Sequence, residues 1–177
     1  MPVRASACRA ATSQQLDAVT DRGPAYDYHG ALVVVEVGEN EIVMIHPPGA
    51  PAHAPASLPS DPCRPGERPE AAAVRIVRER TGLAVTVVRE FVTFIQGATP
   101  TGTMCAHGYR ARITGGKLVS DGPEGPAAAY SVDALPAIVP IRVANQRTLA
   151  AYLRSRIRDG AAPPGATAGS APPRSRI

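Results

Sequence analysis

Tryptophan is absent from this chain, and aromatic residues make up only 4% of it. Stacking platforms for nucleobases are therefore scarce. No basic stripe with interleaved aromatics marks a specific nucleic-acid surface either. Lysine is nearly absent too: Lys117 is the only one, so the net charge of +4 and the pI near 9.3 rest on arginine. Much of that charge lies at Arg142, Arg147, Arg154, Arg156, Arg158, Arg174 and Arg176, in the last helical stretch and the tail. Such a distribution reads as a solvated face with a weak pull on anionic ligands. The three cysteines, Cys8, Cys63 and Cys105, are far apart and form no CxxC pair, so neither a disulfide framework nor a zinc knuckle is indicated. His29, His46, His53 and His107 lack any metal-ligand spacing such as HExxH and read as ordinary surface or strand histidines. Long apolar runs are also missing. The longest, ALVVV at 31–35, is far too short to span a bilayer, and the N-terminus has no apolar signal core. No membrane partner and a cytoplasmic, reducing location are the expectation.

What is present suits one compact domain: 177 residues, of which 44% are hydrophobic. Residues 1–26 are polar and rich in small side chains, forming an N-terminal extension. GALVVVEV, the turn GENE and EIVMIH read as a β-hairpin over 30–46. Residues 47–66 hold so many prolines that a loop is expected there, with no role assigned to it. Next comes a helix. Pro69 suits its first position, Glu67 and Glu70 lie near the positive end of its dipole, and Gly82 suits a left-handed terminus. Ala73, Val74, Val77 and the Thr81 methyl recur at helical spacing and are expected to face the core. LAVTVVREFVTFIQG is β-rich, as two short strands or one bent strand, and TMCAHGYRARIT is a further strand ended by glycines 115 and 116. YSVDALPAI reads as a strand leading into a turn. NQRTLAAYLRSRI is an amphipathic helix with Leu149, Tyr152, Leu153 and Ile157 as its apolar stripe. From Asp159 onward Pro, Gly, Ala and Ser dominate, and a disordered tail is expected. This order predicts an α/β (α+β) sandwich with a mixed sheet packed between helices.

One stretch, RPGERPEAAAVRIVRERTGLAV from Arg64, points to chemistry. Glu67, Arg75, Val77, Glu79, Gly82 and Leu83 fall in register on a pattern of Gly, five residues, Glu, seven residues, Arg-Glu, apolar, any, Glu-Glu, any, Gly, apolar. That pattern is the box of the Nudix hydrolase family, which the chain resembles over about residues 27–158. LPSD is similar to that family's Leu-Pro-Gly-Gly, GERPEAA to its Gly-Glu-Ser-Pro-Glu-Glu-Ala, and YSVDALP to its aromatic-x-x-x-Asp-Glu-Leu-Pro segment. The resemblance implies a Nudix-like mixed sheet, hydrolysis of a nucleoside-diphosphate-linked substrate, and a Mg²⁺ ion that bridges pyrophosphate oxygens and activates water. It also implies that Glu67 and Arg75 form a structural pair bracing the loop against the helix.

The box is incomplete. Where the family carries two metal-binding glutamates, four residues apart on one helix face, this chain has Ile76 and Arg80. Asp61 stands in place of the box glycine. Exchanging two carboxylates for one neutral and one cationic group changes the local charge by three units, from −2 to +1. Mg²⁺ bound to Glu79 beside Arg80 is therefore expected to be weak or absent. A second carboxylate from Asp61 as metal ligand, or from Glu124 as a late catalytic acid alongside Glu79, is the route by which hydrolysis would survive. Three readings follow. The first is an altered hydrolase. The second is a non-catalytic module in which Arg80, Arg64 and Arg78 meet the phosphates of a nucleotide-like or phosphorylated small molecule. The third is a partner-binding domain. A homodimer stays open. More ordinary roles stand beside these: Ile76 as core, Arg78 and Arg80 as solvated cations, and Glu79 with Arg75 as an i, i−4 pair worth a few tenths of a kcal/mol.

Overall fold

The computed structural model describes residues 26–49, 55–99, 102–119, 122, 125–137 and 143–160. Its elements run β1 Tyr28–Val37, β2 Glu41–Ile45, β3 Ser60–Pro62, α1 Pro69–Thr81, β4 Leu83–Thr99, β5 Gly102–Gly116 and β6 Ala127–Ser131. A 3-10 turn Val132–Ala137 and helix α2 Val143–Arg158 complete the chain order. The sheet has six strands in the order β4-β5-β1-β2-β6, with β3 pairing β1 off that path. β1 runs parallel to β5 and antiparallel to β2 and β3, so the sheet is mixed as expected.

β1 is apolar without alternation because both of its faces are covered. Ala31, Val33 and Val35 meet Ala72, Ala73, Ile76 and Val77 of α1 on one side. Val34 joins Ile42, Met44 and Leu58 against Leu149 and Tyr152 of α2 on the other. The two helices thus sit on opposite faces, completing the sandwich. Pro69 opens α1, and Gly82 closes it at φ 76°, its N–H donating to the Arg78 carbonyl. A side chain at Gly82 would be strained by that φ, and its Cβ would lie 2.5 Å from the Lys117 carbonyl oxygen.

Several expectations needed correction. Val74 is 38% exposed, whereas Ile76 is fully buried. The buried stripe of α1 is Ala72, Ala73, Ile76, Val77 and Thr81, and Val74 lies off its edge. In α2, Ile157 is 51% exposed, and Asn145, Thr148 and Ser155 share the buried face with Leu149 and Tyr152. Asn145 is tolerated there partly because its Oδ1 accepts a hydrogen bond from the Leu58 N–H at 3.1 Å. The proline-rich stretch is not wholly irregular: it holds β3, a bridge between Ser57 and Ile45, and buried Ala56 and Leu58. β4 is one long strand whose pairing with β5 slips at several bulges, the bent form of the two options. Asp159, at the start of the expected tail, ion-pairs with Arg89 and Arg110. The N-terminal extension up to residue 25 and the tail beyond 160 lie outside the described residues.

Candidate functional site

β3 and the segment after it run beside α1, where the box residues gather. Because 76 and 77 point into the core, positions 75 and 79 face outward together. Arg75 is the hub. Its Nε donates to Glu67 Oε1 at 2.7 Å and its Nη2 to Glu67 Oε2 at 2.7 Å, a two-pronged pair. Its Nη1 reaches Glu79 Oε2 at 3.0 Å and its Nη2 the Pro62 carbonyl at 3.3 Å. Arg64 closes the cluster: its Nη2 donates to Glu79 Oε1 at 2.8 Å and its backbone N–H to Glu67 Oε2 at 2.8 Å. Alongside, Arg80 Nη2 lies 2.9 Å from Asp61 Oδ2, with the Arg80 side chain only 16% exposed. Arg78 is not part of either group. Its Nη1 lies 3.5 Å from the Gly82 carbonyl at the helix C-terminus.

These contacts set the electrostatics. The Arg75 hydrogen bonds hold the Glu67 carboxyl down at about 2, against the smaller opposing effect of burial. Arg75 likewise lowers Glu79, with Arg64 adding to it, and Glu67 in turn raises Arg75. Three carboxylates, at 61, 67 and 79, face three guanidiniums, at 64, 75 and 80, so the formal sum is −3 + 3 = 0. Every one of these carboxylates already accepts a charged hydrogen bond. Glu124 lies outside the described residues.

Farther along the same sheet face is a second group. His29 on β1 pairs in register with Cys105 on β5, and His107 follows two residues later, on the same side of β5. His29 Nδ1 lies 2.8 Å from His107 Nε2, and His107 Nδ1 lies 2.8 Å from Glu90 Oε1 on β4. The His107 ring also stacks over Tyr109, with centroids 6.4 Å apart. Burial, then Glu90, pushes the Cys105 thiol up. Reading each histidine separately missed this group. The one local signal was the Cys105-x-His107 alternation, which puts both side chains on one face of a strand.

The fold is similar to several solved structures. A NUDIX hydrolase from Nitrosomonas europaea shares 15% identity at a TM-score of 0.59, over 81% of this chain and 97% of that one. A UDP-X diphosphatase shares 14% identity at a TM-score of 0.56, over 88% of this chain and 75% of that one. A MutT NUDIX hydrolase from Burkholderia pseudomallei shares 21% identity at a TM-score of 0.56, over 70% of this chain and 95% of that one. Identities this low carry the fold alone. No curated protein matches the sequence. The NUDIX domain profile matches residues 28–152, most of the chain, and the protein belongs to the Nudix family.

Nudix enzymes generally use divalent metals. The box of this chain fits such an ion poorly. A cation at Asp61 and Glu79 would have to displace Arg80 from the first and both Arg64 and Arg75 from the second. Position 76 offers no oxygen, since Ile76 packs in the apolar core. No helix among the described residues is long and apolar enough to cross a membrane.

Proposed function

We propose that this protein acts on a nucleoside-diphosphate-linked (pyrophosphate) compound, or a related phosphorylated small molecule, through the outer face of α1 and the β3 segment. Hydrolysis there is much weaker than in a member with an intact box, and binding of the phosphates dominates. The observation that carries this reading is the pairing of Asp61 with Arg80 and of Glu79 with Arg64 and Arg75. Guanidiniums held by exposed or half-exposed carboxylates can exchange those partners for phosphate oxygens, which match the same two-pronged geometry. Arg64 and Arg80 are the direct ligands in this reading, with Arg78 adding positive field from the end of the helix. Glu79, with Glu124, is the acidic pair left for any remaining turnover. A catalytically silent binding module is the second reading, supported by the same neutralised carboxylates.

The test is a screen of nucleotide sugars, dinucleotides and nucleoside triphosphates with Mg²⁺, with Mn²⁺ and with chelator, run for turnover and binding together. Binding is expected without metal. It should weaken by roughly 1–3 kcal/mol in Arg80→Ala, the scale of a lost charged hydrogen bond. Rapid, strictly Mg²⁺-dependent turnover would overturn the reading. Absence of binding to every compound would leave a partner-binding domain as the better description. Arg80→Glu should add Mg²⁺ affinity beside Asp61 and Glu79, seen as a melting temperature that rises with Mg²⁺ only in the variant. The double change Ile76→Glu and Arg80→Glu should add no more, because position 76 points into the core. The metal-free double variant should be less stable than wild type, because a carboxylate at position 76 would enter an apolar core and Asp61 would lose its cation.

A further inference from the structure

We propose that His29, Cys105 and His107 form a binding site for a borderline-soft divalent metal, Zn²⁺ by donor chemistry, with a fourth position open to water or an anionic ligand. The site goes beyond the phosphate-binding reading and uses none of the box residues. The three ligand atoms all lie within 4.8 Å of one another. Zn–N bonds of about 2.0–2.1 Å and Zn–S bonds of about 2.3 Å at tetrahedral angles require N···N of about 3.3 Å and N···S of about 3.5 Å. His29 Nδ1 and His107 Nε2 already point at each other across 2.8 Å, so a rotation that widens their gap by roughly half an ångström admits the ion.

Three features support a metal over a bare histidine pair. The first is chemical. Two imidazoles and a thiol suit zinc, whereas Mg²⁺ and Ca²⁺ select oxygen donors. The second is the Glu90 carboxylate on His107 Nδ1, at 2.8 Å. It fixes the tautomer that leaves Nε2 free to ligate, the carboxylate–histidine–metal arrangement. The third is rigidity. Cys105 and His107 sit on one face of β5, and the parallel register sets His29 directly against Cys105. Cys105 is 6% exposed and His29 and His107 are half-buried, so the ligands are held by the sheet. Three protein donors and an open position mark a site that reacts or binds rather than one that only braces the fold. An ion there expels the thiol proton and carries positive charge onto the α1 face of the sheet.

The experiment uses the full chain, stripped with chelator and titrated with Co²⁺ as a spectroscopic stand-in and with Zn²⁺ by calorimetry. One equivalent should bind, with a thiolate-to-cobalt band and visible bands of tetrahedral strength, and millimolar Mg²⁺ should not displace it. Cys105→Ser should remove the thiolate band. His29→Gln and His107→Gln should each weaken binding, and Glu90→Gln should do so by about tenfold or more, as for other outer partners of a ligand histidine. Should buried Cys105→Ser fail to fold, His29→Gln decides, since that side chain is half-exposed and circular dichroism checks its fold. Wild type that binds no Co²⁺ would overturn the proposal and leave a hydrogen-bonded His29–His107–Glu90 chain. So would binding that a folded Cys105→Ser or His29→Gln leaves unchanged, which would assign the ion to other thiols.

Discussion

At the scale of single residues, Glu67 carries a large local electrostatic effect in the box. Its carboxyl is held at about 2 by Arg75, well below the usual carboxylate range. A depressed folded-state value adds stability that is complete above the ordinary value of about 4.3 and disappears as pH falls towards 2. Solvent at the edge of the cluster screens the pair, so Glu67→Gln should cost about 1–2 kcal/mol at neutral pH and almost nothing at about pH 2. Urea unfolding at several pH values checks this, and a pH-independent cost would show that the loss is one of packing. Glu79, exposed and lowered by the same arginine, should contribute far less, as an exposed ion pair does.

At the scale of elements, α1 does two jobs with two faces. Its inner stripe of small and branched apolar side chains grips β1, while its outer face carries the Arg75 hub. The faces predict a contrast between two valines three residues apart. Val77→Ala should destabilise by about 1–3 kcal/mol, from lost apolar contact and an unfilled cavity. Val74→Ala, at an exposed site, should stay within about 0.5 kcal/mol of wild type. Equal effects in thermal or denaturant unfolding would contradict the observed helix phase. α2 is held differently. Tyr152 is 2% exposed, its hydroxyl donates to Glu36 Oε1 at 3.0 Å, and Arg110 reaches the same carboxylate. Burial raises the Tyr152 hydroxyl above its ordinary value, so it stays protonated as that donor.

At the scale of the whole molecule, the C-terminal boundary can be located by truncation. Deleting residues 161–177, rich in Pro, Gly, Ala and Ser, should leave the melting temperature nearly unchanged. Removing Asp159 as well should lower it, because Arg89 and Arg110 lose their shared carboxylate. A large loss from the shorter deletion alone would show that the tail packs on the domain.

The sequence by itself determined the order of the main elements apart from β3, the ends of α1 at Pro69 and Gly82 and, through the resemblance to the Nudix box, the Glu67–Arg75 pair and membership of the family. Each depends on local periodicity, backbone preference or fixed spacing, which short windows of chain encode. Only the tertiary structure decided that Val74 faces out and Ile76 in, because Ala72, Ala73 and Ile76 give α1 a second apolar edge that periodicity alone does not rank. It also decided that Arg80 meets Asp61, across the gap between β3 and α1, and that Asn145 is a core residue. The gathering of His29 with Cys105 and His107 depends most fully on the fold. Those residues are far apart in the chain, and their contact follows from the parallel register of β1 with β5, which no local pattern specifies.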